Sequence, residues 1–136
     1  MDILLSLLGS ESVLKRMICS IEEKEQILKT IDLLCEMTKT SREFGYASLI
    51  SNYSEKIKNE FLLCALTLLI DAQSSDLMIE CCVPYLLTSG IEGMEFCEDY
   101  IILVGLSKII QGENPECLEV ELKSYLGILC ADKILA

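Results

Sequence analysis

Residues 61–86 read FLLCALTLLIDAQSSDLMIECCVPYL, and residues 101–126 read IILVGLSKIIQGENPECLEVELKSYL. Each stretch is an apolar run, a short polar loop and a second, shorter segment ending in Tyr-Leu. The paired positions include Leu66 with Leu106, Ile70 with Ile110, Tyr85 with Tyr125 and Leu86 with Leu126. A separation of about 40 residues is typical of helical repeats, in which each unit buries its apolar face only by stacking on a neighbour. The expectation is an all-α fold: a compact stack of helical hairpins of armadillo or HEAT type, with a duplicated helix–loop–helix unit at about 61–86 and 101–126. One domain spanning 1–136 accommodates it.

Outward from these stretches the same character holds. Apolar residues make up 51% of the chain, mostly Leu and Ile, with no Trp and only Pro84 and Pro115 as helix breakers; such a mixture favours helices over strands. Met1–Leu8 reads as a short apolar helix. Ser20 with Glu23 forms a capping box that opens a long helix reaching about Glu43, with Gly45 a break before Tyr46–Tyr53. Ser54 is the expected cap of a helix through Ile57, Phe61, Cys64, Ala65, Leu68 and Leu69 that ends near Asp71–Gln73. Because it is apolar nearly all round, it is expected to be the central, most buried helix. A helix from Asp76 to about Leu87 should kink at Pro84. Gly90 and Gly93 mark a connection to a helix over Glu95–Ile110, with Glu98 and Asp99 in its first turn. Asn114–Pro115–Glu116 starts a helix to Tyr125, and Ile128–Leu135 follows Gly127.

The net charge is −11, and between Lys58 and Lys108 there is no Lys or Arg while eight acids occur, from Glu60 to Asp99. Phosphate binding needs a clustered basic surface, so nucleic acid is excluded as a partner and an anionic lipid surface is repelled. A basic protein would be attracted, chiefly through its on-rate; the alternative is a solvated acidic face that maintains solubility. Eight cysteines, Cys19, Cys35, Cys64, Cys81, Cys82, Cys97, Cys117 and Cys130, include no C-x-x-C pair, and the chain has no His. Reduced core filler is the expected role of most of them, against a dispersed metal or disulfide framework. The longest apolar run, Phe61–Ile70, is about half a membrane span, so the expected location is cytoplasmic without membrane insertion. Without His, a phosphate-cradling loop or a nucleophile elbow, no enzyme and no cofactor are expected. Glu95 and Asp99 share a helix face, an arrangement that suits weak Mg²⁺ or Ca²⁺ binding but that the helix dipole alone explains.

The segment Ile31–Ile50, IDLLCEMTKTSREFGYASLI, places Lys39, Ser41, Arg42, Gly45, Ser48 and Leu49 in order, and Leu106, Ile109, Ile110 and Gly112 complete a pattern further on. Together they resemble the cytoplasmic loop of the flagellar stator family MotA, without its membrane helices. The resemblance implies a non-enzymatic protein-interaction module associated with a flagellar motor or a similar large assembly, its partner a rotor component. Of the family's charged contacts only Arg42 carries over; an acidic position of the family is Ile50 here. Lys39, Arg42 and Glu43 are the candidate interaction residues, although an ordinary solvated helix face also explains them. The alternative function is a generic helical-repeat adaptor or scaffold unrelated to motility. The small polar face of Met1–Leu8 also points to a homo-oligomer.

Overall fold

A computed structural model describes residues 11–128 of the chain. The expected helix at Met1–Leu8, and the one at Ile128–Leu135 beyond its first residue, lie outside the described residues. Among the described residues there are seven helices and no strand: α1 (Glu11–Arg16), α2 (Ile21–Phe44), α3 (Ser48–Tyr53), α4 (Glu60–Ala72), α5 (Ser75–Thr88), α6 (Met94–Ile110) and α7 (Pro115–Ser124). The fold is all-helical, and among these residues no helix is long and apolar enough to cross a membrane.

The start of α2 follows its sequence signature. Ser20 Oγ accepts from the Glu23 N–H at 3.1 Å, and Glu23 Oε1 accepts from the Ser20 N–H at 2.8 Å. Removing that hydroxyl leaves an orphan donor, so Ser20→Ala is expected to cost about 1 kcal/mol in urea unfolding; a loss below about 0.3 kcal/mol would show the cap to be idle. The helix stops at Gly45, whose φ of 84° suits glycine and whose N–H donates to the Ser41 carbonyl. Between these ends Ile27, Ile31, Leu34, Cys35, Met37 and Thr38 form the buried stripe.

Ser54 does not cap the next long helix. Its N–H donates to the Ile50 carbonyl at 2.9 Å and closes α3, while α4 is capped by Asn59, whose Oδ1 accepts from the Leu62 N–H at 3.1 Å. Ser and Asn are nearly equal caps locally; the choice is tertiary, because the Asn59 amide also reaches Glu98 and Asp99 on α6.

The most buried helix is α6 rather than the one over 61–70. It packs against α2, α4, α5 and α7 and buries Phe96, Cys97 and the whole run Asp99–Ser107. By contrast α4 packs chiefly on α5 and α6; it buries Leu62, Ala65, Leu66 and Leu69 and leaves Leu63, Cys64 and Thr67 exposed. Gly105 allows α2 to approach α6 closely: a Cβ there would lie 3.0 Å from Leu34 Cδ1 and 3.4 Å from Leu122 Cδ1. The first turn of α6 contains Glu95, and the expectation for Glu98 and Asp99 is corrected: they lie one turn further in and serve as acceptors for Asn59. Pro84 lies inside α5, which is one element from Ser75 to Thr88.

Arg16, at the end of α1, connects the chain start to the far end of α5. Its guanidinium donates to the carbonyls of Leu86 (2.8 Å), Leu87 (3.3 Å) and Ile91 (3.0 and 3.1 Å) and lies 4.1 Å from the Phe96 ring centroid. The last carbonyls of a helix have no partner within it, and here an arginine from elsewhere in the chain supplies one.

Candidate protein-docking surface

The α4–α5 hairpin is sealed against α6 on one side and open on the other. On α5, Met78, Ile79, Cys82, Val83 and Leu86 face inward. The neighbouring stripe of Leu77, Cys81 and Tyr85 faces out, with Leu77 42% and Tyr85 49% exposed. Residues four apart share a helix face, so α5 carries two adjacent apolar stripes and only one is covered. Phe61, near the start of α4, stacks on Tyr85, near the end of α5, with ring centroids 5.7 Å apart. That contact makes the pair antiparallel and closes one end of a groove of about 330 Å³, lined by Phe61, Cys64, Leu68, Cys81, Tyr85 and Glu60.

The hairpin's exposed charge has one sign. Glu60, Asp71, Asp76 and Glu80 are all exposed, and residues 59–107 contain no Lys or Arg. Lys58 lines a different cavity, of about 320 Å³, together with Lys29, Lys56, Thr30 and Glu98.

The residues singled out from the sequence lie elsewhere. Lys39, Arg42 and Glu43 are exposed near the end of α2, beside Phe44, which is 68% exposed. They belong to the layer that packs on α6 and α7 and are not part of the groove. Sequence reading missed Phe61, Leu77 and Tyr85 as surface residues. The available signal was the width of the apolar pattern on α5, where Leu77, Cys81 and Tyr85 run beside Met78, Cys82 and Leu86.

Among the described thiols three are buried, three are exposed and Cys19 is half-buried. Burial pushes Cys35 and Cys82 up to about 11 and Cys97 up to about 12, which keeps them protonated and unreactive. Cys64, Cys81 and Cys117 are exposed, against the expectation of core filler; each lies one position off its helix's buried stripe. Among the described residues no three of His, Cys, Asp and Glu converge as a metal ion requires.

Among the described residues Asp99 is the one carboxylate with a strongly raised pKa, about 6. Burial is the chief cause, opposed by the Asn59 hydrogen bond and reinforced by Glu98 and Glu95. Asn59 Nδ2 donates to Glu98 Oε1 at 2.7 Å and to Asp99 Oδ1 at 3.2 Å, and Thr30 Oγ1 donates to Glu98 Oε2 at 2.8 Å. A raised carboxyl in a cleft is a candidate general acid. Asp99, however, is only 3% exposed, lines neither cavity and is turned to the Asn59 amide, an arrangement suited to joining α4 to α6. The chain matches no protein-family model, no curated protein and no solved structure.

Proposed function

We propose that the protein is a non-enzymatic protein-binding module and that α4–α5 is its docking face. The observation carrying this reading is the uncovered apolar stripe of Leu77, Cys81 and Tyr85 beside Phe61. Scattered apolar residues on a surface are ordinary, whereas a contiguous patch bounded by charge has the form of an interaction site.

The stack-of-hairpins reading, of armadillo or HEAT type with a duplication at 61–86 and 101–126, is supported by burial. Leu62, Ala65, Leu66, Leu69, Met78, Cys82 and Leu86 are buried, and so are Ile102, Gly105, Leu106, Ile109, Leu118, Leu122 and Leu126, each at the same offset of 40. The caps repeat too: Ser74 accepts from the Asp76 N–H and Asn114 from the Glu116 N–H. In such a stack each hairpin covers the next. The second hairpin is covered by α2, and the first has its outer face open.

A second reading is a stator-loop-like adaptor in the cytoplasm that meets a flagellar rotor component through Lys39, Arg42 and Glu43. Favouring it, the three side chains project from the end of α2 next to the exposed ring of Phe44, and none forms an ion pair among the described residues.

One capture experiment separates the two. The tagged chain, a Leu77→Asp/Tyr85→Asp variant and a Lys39→Glu/Arg42→Glu variant are each exposed to native extract, and the retained proteins are identified by mass spectrometry. The docking reading expects a defined protein to be lost at least tenfold with the first variant and kept with the second. Undiminished retention by the first variant removes it, and loss of a rotor protein with the second alone moves the site to α2.

A further inference from the structure

We infer that the α4–α5 groove takes one basic amphipathic helix of about three turns, with cationic residues at both of its ends. The inference rests on the docking reading above and adds the chemistry of the occupant.

Length comes from the hairpin face. The groove is lined on α4 from Glu60 to Leu68, about 12 Å at 1.5 Å per residue, and the exposed side of α4 continues past it to Asp71, about 17 Å in all. A helix of 11 to 12 residues, roughly three turns, has the same length. The groove between the two helices is apolar, with Phe61, Cys64 and Leu68 on one wall and Cys81 and Tyr85 on the other, and exposed Leu77 continues the α5 stripe one turn beyond the lining. Apolar anchors at i, i+4 and i+7 of an entering helix meet such a floor, as in helix-in-groove recognition generally.

Charge sets the ends. Glu60 lies at the Phe61–Tyr85 end, Asp71 and Asp76 lie at the opposite end where α4 turns into α5, and Glu80 runs beside the Leu77–Cys81 stripe. All four are exposed, and no cation occurs on either helix. Lysine or arginine at both ends of the entering helix therefore faces carboxylate at both ends of the hairpin, which steers the encounter and disfavours an acidic competitor. The same arrangement argues against a second copy of this chain. Two-fold pairing of this face on itself brings the four carboxylates of each copy together with no compensating cation on the hairpin.

The test uses the full chain and a synthetic probe. A capped, fluorescein-labelled 14-residue peptide carries leucines at i, i+4, i+7 and i+11 and lysines at both ends; its control has glutamates in place of the lysines. Anisotropy titration is expected to give a micromolar Kd for the lysine peptide, at least tenfold weaker binding for the control, and weakening as salt rises. Asp76→Lys/Glu80→Lys should weaken the lysine peptide about tenfold, and Tyr85→Asp should abolish binding. These residues are exposed, and unchanged circular dichroism confirms that each variant folds. Equal binding of the two peptides overturns the charge assignment. Failure of both peptides while Leu77 and Tyr85 still govern capture from extract overturns the helix occupant and leaves the docking reading standing. A concentration-dependent dimer in sedimentation that Leu77→Asp abolishes overturns the inference in favour of self-pairing.

Discussion

Arg16→Ala is expected to destabilise the protein by about 3 kcal/mol, seen as a lower urea midpoint with an unchanged slope. The side chain donates to three carbonyls at the end of α5 and beyond it, and it stacks on Phe96. Hydrogen bonds to a charged donor contribute about 1.5–3 kcal/mol each but are not additive when one side chain makes them all; a cation over an aromatic ring adds about 1 kcal/mol. Truncation also removes the charged donor from the carbonyls of Leu87 and Ile91 and leaves Leu86 with the Ser89 hydroxyl. Arg16→Lys should recover less than half of the loss, since an ammonium cannot reproduce the planar fork that spans Leu86 and Ile91. A loss under about 1 kcal/mol for the alanine variant would mean that water replaces the guanidinium at little cost.

The second large effect is one of pH. Asp99 is pushed from 3.8 to about 6 by burial. Between those values the folded protein keeps a proton that the unfolded chain has released, so stability falls as pH rises through that window. Above it, the folded state carries a buried carboxylate that faces the Asn59 amide. At about 1.4 kcal/mol per unit, the difference between pH 4 and pH 7 is up to about 3 kcal/mol from this residue. Asp99→Asn removes it: the variant is expected to be more stable than wild type at pH 7, by about 1–3 kcal/mol, and equal to it near pH 4. The difference between the two curves is the quantity to measure, because a chain of net charge −11 also gains stability on acidification through reduced self-repulsion. A constant difference from pH 4 to 8 would assign the buried carboxyl no part in the pH response.

What the sequence made legible were the features decided within a few residues. The Ser20–Glu23 box, the stop at Gly45 and the Asn114–Pro115 start all occur where their local chemistry places them. What it concealed was decided across the chain. Ser54 and Asn59 compete as caps on nearly equal local terms, and a pair of carboxylates on α6 selects Asn59. The rank of α4 and α6 in the core depends on how many helices surround each, which no apolar run records. Arg16 resembles any helix-terminal cation in the sequence, and its partners are some 70 positions away. The groove was concealed because the second stripe of α5 looks like core; only the missing cover makes it a surface. The candidate residues Lys39, Arg42 and Glu43 came from a linear pattern, and a linear pattern does not register the apolar floor assembled from two helices.

The notch at Gly105 bears on how α2 and α6 keep their register. Leu34 of α2 is seated where any side chain on α6 would block it, with Leu122 closing the other flank. Shifting α2 lengthwise by one turn would drive that leucine onto the bulky neighbours Ile101 or Ile109. The detent therefore opposes axial sliding of α2 on α6, the two longest helices among the described residues.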